Sequence, residues 1–263
     1  MSNIIALLTD FGDMDGFVGT VKGVILSKAP EAKIVDISHN VKPQDINAAS
    51  WILTSSYKYF PAGTIFVCVV DPGVGSNRKQ ILVKVDQYYF IGPDNGFMTR
   101  ILDKCIPDVI VDLNNPQFWL DDVKQTFHGR DIFAPVAARL FNDKKGLSYF
   151  GSVIPIEDIV KLDLQYPYLK DNKIFGVVDY IDHFGNAITN IPESLINHKK
   201  IAVSCDRLHL DSLATSYSAV EVGEPLAIIG SDGYLELALN CGNLVEKFNL
   251  SVNDSVVIEL LPD

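Results

Sequence analysis

An acid, a glycine-rich turn and an arginine fall within eight residues at the end of an apolar run, in the segment VVDPGVGSNRK (69–79). Asp71 and Arg78 flank the turn, and they would come within reach of each other if it folds back. A phosphate-binding loop is one interpretation, but the segment lacks the pattern GxxxxGK(S/T), and no clear helix begins directly after it. A tight turn without chemistry is the competing interpretation.

Two further segments carry groups that could bind or react. The segment DFGDMDG (10–16) holds Asp10, Asp13 and Asp15. These carboxylates could bind a ribose diol, an ammonium group or a metal ion, or they could cap the helix that follows. The segment FHGRD (127–131) sets His128 beside Gly129, and a glycine lets a ligand approach the backbone closely. A lone histidine is otherwise more often structural.

The C-terminal half contributes another group of candidates. In DHFGNAITNI (182–191), Asp182, Phe184 and Asn186 alternate, so an extended segment would present them on one face. An acid, an aromatic ring and an amide on one face could hold an amino acid, stack on adenine and bond to its edge. The segment GSDGYLELALNCGN (230–243) adds Ser231 and backbone groups near Cys241. A decorated strand edge is the alternative interpretation.

The apolar runs predict elements that bring the N-terminal segments together. IIALLTD, KIVDIS and TIFVCVVD predict strands that alternate with two helices, the second capped by Asp45. This order is typical of a parallel sheet with crossover helices, and such sheets bind ligands at the carboxyl ends of their strands. We therefore expect the loops that follow the three strands to share one edge and form a site. A hairpin and a helix over residues 133–142 should come next.

The pattern changes after about residue 150, where a linker with prolines precedes a series of short β runs. Short strands separated by turn residues are typical of a small barrel or sandwich. The predicted fold class is therefore α/β, with a mainly parallel N-terminal sheet and a smaller C-terminal all-β barrel. We place the domains at residues 1–160 and 172–263.

Composition limits the partners and the compartment. The net charge of −11 disfavours binding to nucleic acid and to anionic membranes. No window reaches the roughly 18 apolar residues of a membrane span, and the N-terminus predicts a strand rather than a signal peptide. The four cysteines lie far apart in the sequence, at Cys68, Cys105, Cys205 and Cys241. This spacing disfavours a zinc site, and we infer a reducing compartment. We expect a cytoplasmic protein.

Taken together, the motifs resemble one family over nearly the whole chain. DFGDMDGFVGTVKG, VDISHNVKPQD, FPAGTIFVCVVDPGVGSNR, FHGRD and DHFGNAITNI occur in the order and spacing of the S-adenosyl-L-methionine (SAM) hydroxide adenosyltransferases, which are related to fluorinase and chlorinase. The resemblance implies an N-terminal α/β domain, a C-terminal β-barrel and a homotrimer. It also implies a substrate site between the N-terminal domain of one subunit and the C-terminal domain of the next.

The resemblance assigns roles by position. It implies that Asp71, Arg78 and His128 form a triad that positions and activates water. The implied substrate-binding residues are Asp10 for the ribose hydroxyls, Asp15 and Asp182 near methionine, Phe184 and Asn186 at adenine, Ser231 at the methionine carboxylate, and the backbone near Cys241. Fluorinase-like members carry tyrosine at the positions of Asp71 and His128, and a halide-binding serine at Gly129. Gln44 stands where fluorinase has an active-site tryptophan.

The expected reaction is hydrolysis of SAM to adenosine and L-methionine, by in-line attack of water or hydroxide at the ribose C5′. SAM is the substrate, and neither a cofactor nor a metal ion is implied. Within the triad we favour neutral His128 over Asp71 as the proton acceptor. The alternatives are a halide-dependent adenosyl transferase, a SAM- or adenosine-binding sensor with little turnover, and a metal-dependent phosphohydrolase built on the acidic loops.

Overall fold

The computed structural model describes residues 3–143, 146–196 and 200–261. The chain divides into two compact units, Met1–Leu162 and Asp163–Asp263. The predicted interdomain segment is thus shared, with residues 161–162 in the first unit and 163–171 in the second. The outermost residues of the predicted domains lie outside the described part of the chain. No helix within the described residues is long and apolar enough to cross a bilayer.

The first unit is a sheet with helices. Its strands are β1 (Ile4–Thr9), β2 (Lys33–Ser38), β3 (Ile65–Val69), β4 (Gln80–Val85), β5 (Tyr88–Pro93), β6 (Val109–Asp112) and β7 (Ser152–Val153). Its helices are α1 (Phe17–Lys28), α2 (Ile46–Ser56), α3 (Thr99–Leu102) and α4 (Ala134–Asn142). The strand order is β2-β1-β3-β5-β4-β6-β7.

One half of this sheet is parallel and the other antiparallel. β1 pairs in parallel with β2 and β3, and β3 pairs in parallel with β5. β4 runs antiparallel to β5 and β6, and β6 runs antiparallel to β7. The α/β prediction is confirmed, and the sheet is mixed, with its parallel half at the strands that precede the candidate loops. β1 and β3 are buried on both faces, which explains their continuous apolar sequences.

Helices cover the strands through alternating side chains. Ile5 and Leu7 of β1 lie in a core with residues of α1 and α4. The predicted cap of α2 is confirmed, since the Asp45 carboxylate accepts a hydrogen bond from the Ala48 N–H (2.9 Å). These contacts anchor the strand ends from which the candidate loops emerge.

The second unit is antiparallel. Its strands are β8 (Tyr168–Lys170), β9 (Lys173–Ile181), β10 (Ala187–Pro192), β11 (Ile201–Cys205), β12 (Leu208–Leu210), β13 (Pro225–Ile229), β14 (Tyr234–Leu239) and β15 (Ser255–Leu260). Two short helices are α5 (Glu193–Ile196) and α6 (Leu244–Phe248). The order is β12-β11-β15-β9-β10-β14-β13, with β8 paired to β9. Leu213, just after β12, bridges to Ala227 of β13 and nearly closes the sheet into a barrel, as predicted.

A pair of glycines tests how tightly the first sheet is packed. A Cβ at Gly92 in β5 would lie 2.4 Å from the Cys68 carbonyl oxygen, whereas a Cβ at Gly23 in α1 would meet open space. We expect Gly92→Ala to lower the free energy of unfolding by about 1–3 kcal/mol, because backbone must move. Gly23→Ala should raise it by about 0.5–1 kcal/mol. Urea unfolding measures both, and equal midpoints for the two variants would contradict the described packing.

Candidate active site

The candidate loops of the first unit meet at one edge of the sheet. Asp10 directly follows β1, and β1 lies between β2 and β3 in parallel register. Asp71 follows β3. Arg78 precedes β4, which is antiparallel to β5, while β5 is parallel to β3, so β4 begins at the edge where β3 ends. The predicted convergence is therefore present, and the sheet topology explains it.

Asp71 and Arg78 form a bidentate ion pair. Arg78 Nε donates to Asp71 Oδ1 (2.7 Å), and Arg78 Nη2 donates to Asp71 Oδ2. Arg78 Nη1 donates to the Lys79 carbonyl oxygen (3.2 Å). The side chain of Arg78 is only 8% exposed, and that of Asp71 only 6%. The turn thus folds back, and the two buried charges compensate each other.

His128 completes this network, and the contact determines its tautomer. Arg78 Nη2 lies 3.0 Å from His128 Nδ1. A guanidinium has no acceptor, so Nδ1 must accept the hydrogen bond, and the proton of the neutral imidazole is on Nε2. Burial lowers the pKa of His128 below its usual 6.5, and the Arg78 charge lowers it further against the opposing charges of Asp71 and Asp131. His128 is therefore a neutral Nε2–H donor.

Gly129 lies where a side chain would be crowded. A Cβ at this position would be 3.3 Å from Phe11 Cζ and 3.4 Å from Val69 Cγ1. Phe11 itself packs edge-on against Phe17 and Phe127, with centroid separations of 6.1 and 5.7 Å. A serine here would require Phe11 or Val69 to shift by a few tenths of an ångström.

The Asp10 loop is fixed by contacts with Gln44, which the sequence singled out, and with His39, which it did not. Asp10 Oδ2 accepts the Gln44 N–H (2.8 Å). Thr9 Oγ1 lies 2.8 Å from His39 Nδ1, and the Gly12 N–H donates to the His39 carbonyl oxygen (2.7 Å). These bonds tie the loop after β1 to the loop after β2. Only the stretch SHNVKPQD, as a loop at the same edge, hinted at them.

The other carboxylates of the first segment are peripheral. Asp13 and Asp15 are exposed. Within the described residues, no group of three or more His, Cys, Asp or Glu side chains is placed to hold a metal ion. The methionine-binding role of Asp15 therefore stays a prediction.

The Asp182–Asn186 segment is a hairpin turn between β9 and β10, not an extended strand. Asp182 Oδ1 accepts the backbone N–H groups of Phe184 and Asn186 (both 2.9 Å), and Asp182 Oδ2 accepts the Asn186 side-chain amide (2.9 Å). Gly185 has φ +81°, which closes the turn. The predicted alternation on one face is wrong, although the turn does bring Asp182 and Asn186 together and leaves Phe184 73% exposed.

Ser231 and Cys241 lie at opposite ends of β14. Ser231 is in the turn before the strand, where the Gly230 N–H donates to the Tyr234 carbonyl oxygen (2.9 Å). Cys241 is exposed just after the strand and has φ 56°. The six residues of β14 span roughly 20 Å, so one small group cannot contact both side chains. Their substrate contacts stay predictions.

A buried acid of β14 was missed by the sequence interpretation. The Tyr217 hydroxyl donates to Glu236 Oε1 (2.6 Å). Burial raises the pKa of Glu236, and the charges of Asp182 and Asp232 raise it further, against the lowering effect of the Tyr217 hydrogen bond. The signal was weak, because Glu236 sits within the apolar run LELAL and its partner is 19 residues away. The acidic side chains of Asp182, Asp232 and Glu236 thus lie close enough beside the hairpin turn to interact electrostatically.

Comparison with known proteins assigns the chain to a family. The family model for the SAM hydroxide adenosyltransferase N-terminal domain matches residues 5–151, and that for the C-terminal domain matches residues 176–257. This chain is a SAM hydroxide adenosyltransferase family member. The first match contains Asp10, the triad and Asp15, and the second contains the remaining predicted residues. The family that the motifs suggested is confirmed.

Individual relatives of this family align over almost the full chain. The (R)-S-adenosyl-L-methionine hydrolase of Methanocaldococcus jannaschii is 32% identical over 270 residues, covering 97% of this chain and 95% of the relative. A fluorinase of Nocardia brasiliensis is 26% identical over 291 residues, covering 98% and 97%. The crystal structure of an uncharacterized conserved protein from Thermotoga maritima has a TM-score of 0.90 and 34% identity, covering 97% and 99%.

The lowered pKa of His128 predicts how stability depends on pH. The unfolded chain binds a proton near pH 6.5, and the folded chain binds it only at lower pH. The contribution of His128 is therefore complete above pH 6.5 and is lost as the pH falls from 6.5 through the folded-state pKa. Urea unfolding between pH 8 and pH 5 should show this loss, and His128→Gln should reduce it. The exposed His209→Gln variant is the control, and identical profiles for His128→Gln and wild type would refute the assignment.

Proposed function

We propose that this protein hydrolyses S-adenosyl-L-methionine to adenosine and L-methionine. The observation that carries the proposal is the buried Asp71–Arg78–His128 network at the sheet edge, in a chain whose hydrolase relatives match it almost end to end. Those relatives are named for the (R) form of the substrate. We therefore propose (R)-S-adenosyl-L-methionine as the preferred epimer.

The reaction is a displacement at the ribose C5′. A water oxygen forms a bond to C5′, and the C5′–sulfur bond breaks with its electron pair moving to sulfur. The sulfonium thereby becomes the neutral thioether of methionine, and the attacking water releases one proton to the solvent. Holding water and C5′ in line lowers part of the activation barrier, because the entropy of orienting them is already lost on binding.

His128 serves in this scheme as a donor to the attacking oxygen. Its Nδ1 is occupied by Arg78 and its Nε2 carries the proton, so no ring nitrogen is ready to accept another proton. This geometry argues against His128 as the proton acceptor, the role favoured from the sequence. Asp71 offsets the Arg78 charge, so hydroxide would be stabilised mainly through the polarised His128 Nε2–H.

The remaining predicted residues would bind the substrate. Asp10 is held through Oδ2 by Gln44, and we propose its Oδ1 as the acceptor for a ribose hydroxyl. Phe184 offers an exposed ring for adenine, and Asn186 has its side-chain oxygen to accept from the adenine amino group while its amide bonds to Asp182. Asp182, Ser231 and Asp15 are proposed for the methionine part.

Purified protein incubated with separate SAM epimers, without halide and with a chelator, tests the function. We expect adenosine and methionine in equal amounts, faster from the (R) epimer, with oxygen from labelled water in adenosine. Dependence on halide with a 5′-halogenated product would favour the halide-dependent transferase. Saturable binding without turnover would favour a sensor, and loss of activity with chelator would favour metal-dependent chemistry.

Conservative variants test the triad within the same assay. Arg78→Lys keeps the charge but loses the bidentate geometry, so we expect kcat to fall roughly 100-fold. Arg139→Lys, in the last turn of α4, makes the same chemical change outside the site and should leave kcat unchanged. Equal kcat for Arg78→Lys and wild type would refute the role of the network.

We also propose a cytoplasmic homotrimer whose active sites are shared between subunits, as the family resemblance implies. Sedimentation should give the mass of three chains of 29.0 kDa each. Co-expression of Arg78→Lys with Asn186→Ala should restore part of the activity that each variant lacks alone, because some sites would combine two intact halves. A monomer, or a mixture as inactive as the separate variants, would contradict the shared site.

A further inference from the structure

The chain that leads from His128 into α4 contains a π-helical turn. Residues Gly129–Phe133 form this turn, and the Ala134 N–H donates to the Gly129 carbonyl oxygen five residues earlier. α4 follows without a break. Such turns are rare in proteins and concentrate at functional sites. A residue that causes this turn should therefore be visible in the sequence, and the turn should affect the geometry of the site.

Pro135 explains why the turn is widened. Proline has no N–H to donate to the Asp131 carbonyl four residues earlier, and in an α-helix its ring would clash with that carbonyl. The Asp131 carbonyl oxygen instead accepts the Leu120 N–H (2.9 Å). The Asp131 side chain is held as well, by Arg130 Nε (2.6 Å) and the Lys124 N–H (2.8 Å). The displaced carbonyl thus keeps a partner outside the helix.

The widened turn changes which side chains share a face. His128 and Phe133 are five residues apart, and in an α-helix they would point about 140° away from each other. Hydrogen bonding from i to i+5 widens the turn and brings such residues toward the same face of the helix. Both now contact Arg78, since His128 Nδ1 lies 3.0 Å from Nη2 and the Phe133 ring centroid lies 5.7 Å from Cζ. Phe133 is fully buried.

We infer that Pro135 and Phe133 are positioning residues of the triad. Pro135 imposes the π-turn, and the turn places the imidazole of His128 and the ring of Phe133 on one guanidinium. A cation within about 6 Å of an aromatic face is attracted to it, most strongly when both are desolvated. The catalytic consequence rests on the proposed function, whereas the positioning itself does not.

The first test is the titration of His128 by NMR in the substrate-free protein, assigned by comparison with His128→Gln. Pro135→Ala restores an N–H that can close an α-turn, and Phe133→Leu removes the ring at similar volume. Each should move Arg78 away from His128 and raise the measured pKa above that of wild type. The other charges that face His128, those of Asp71 and Asp131, remain in both variants.

Matched controls separate positioning from general damage. Pro61→Ala removes an exposed proline of the same unit, and Phe90→Leu truncates an equally buried ring of β5. Neither should shift the His128 titration, although Phe90→Leu should lower the urea midpoint. If Pro135→Ala does not fold, the His128 titration of the more conservative Phe133→Leu variant tests the inference.

Kinetics provide the second readout. If the protein hydrolyses SAM, both variants should lose roughly 10- to 100-fold in kcat with little change in KM, because only the placement of the reacting groups is disturbed. An unchanged His128 titration in both folded variants overturns the inference, even where SAM is turned over. A shifted titration in a protein that leaves SAM intact upholds the positioning and rejects the proposed function.

Discussion

A guanidinium carries only hydrogen-bond donors, and this constraint organises the candidate active site. Arg78 is almost buried, so its hydrogen-bonding neighbours must all supply acceptors: the two oxygens of Asp71, the Lys79 carbonyl and the Nδ1 of His128. The carboxylate compensates the cost of burying the cation. The protonation of the imidazole therefore follows from Arg78 before any substrate arrives.

The mixed sheet is what brings those partners together. Parallel strands deliver the loops after β1, β2 and β3 to one edge, and the antiparallel return of β4 delivers Arg78 to that same edge. In an all-parallel sheet a crossover of a dozen or more residues would have to separate β3 from β4. The short turn from Asp71 to Arg78 is thus possible only because β4 runs against its neighbours.

The second unit presents a different electrostatic environment. The Asp182 carboxylate closes a hairpin turn by accepting hydrogen bonds. The buried Glu236 accepts a hydrogen bond from Tyr217, and burial and the charges of Asp182 and Asp232 raise its pKa. Excess negative potential of this kind attracts cations. The proposed substrate carries a sulfonium and an ammonium group, so this surface complements it in charge.

The sequence by itself determined several of the elements and the family. Continuous apolar runs identified β1 and β3, Asp45 identified the start of α2, and the rule for strand ends placed Asp10 and Asp71 at one edge. These features depend on local periodicity and short-range capping, which a sequence displays directly. Only the tertiary structure decided that Gly185 closes a turn where alternation predicted a strand, and that Glu236 pairs with Tyr217. It alone fixed the proton of His128 on Nε2, because that outcome depends on Arg78, 50 residues away, whose donors reach Nδ1 only after the sheet has formed.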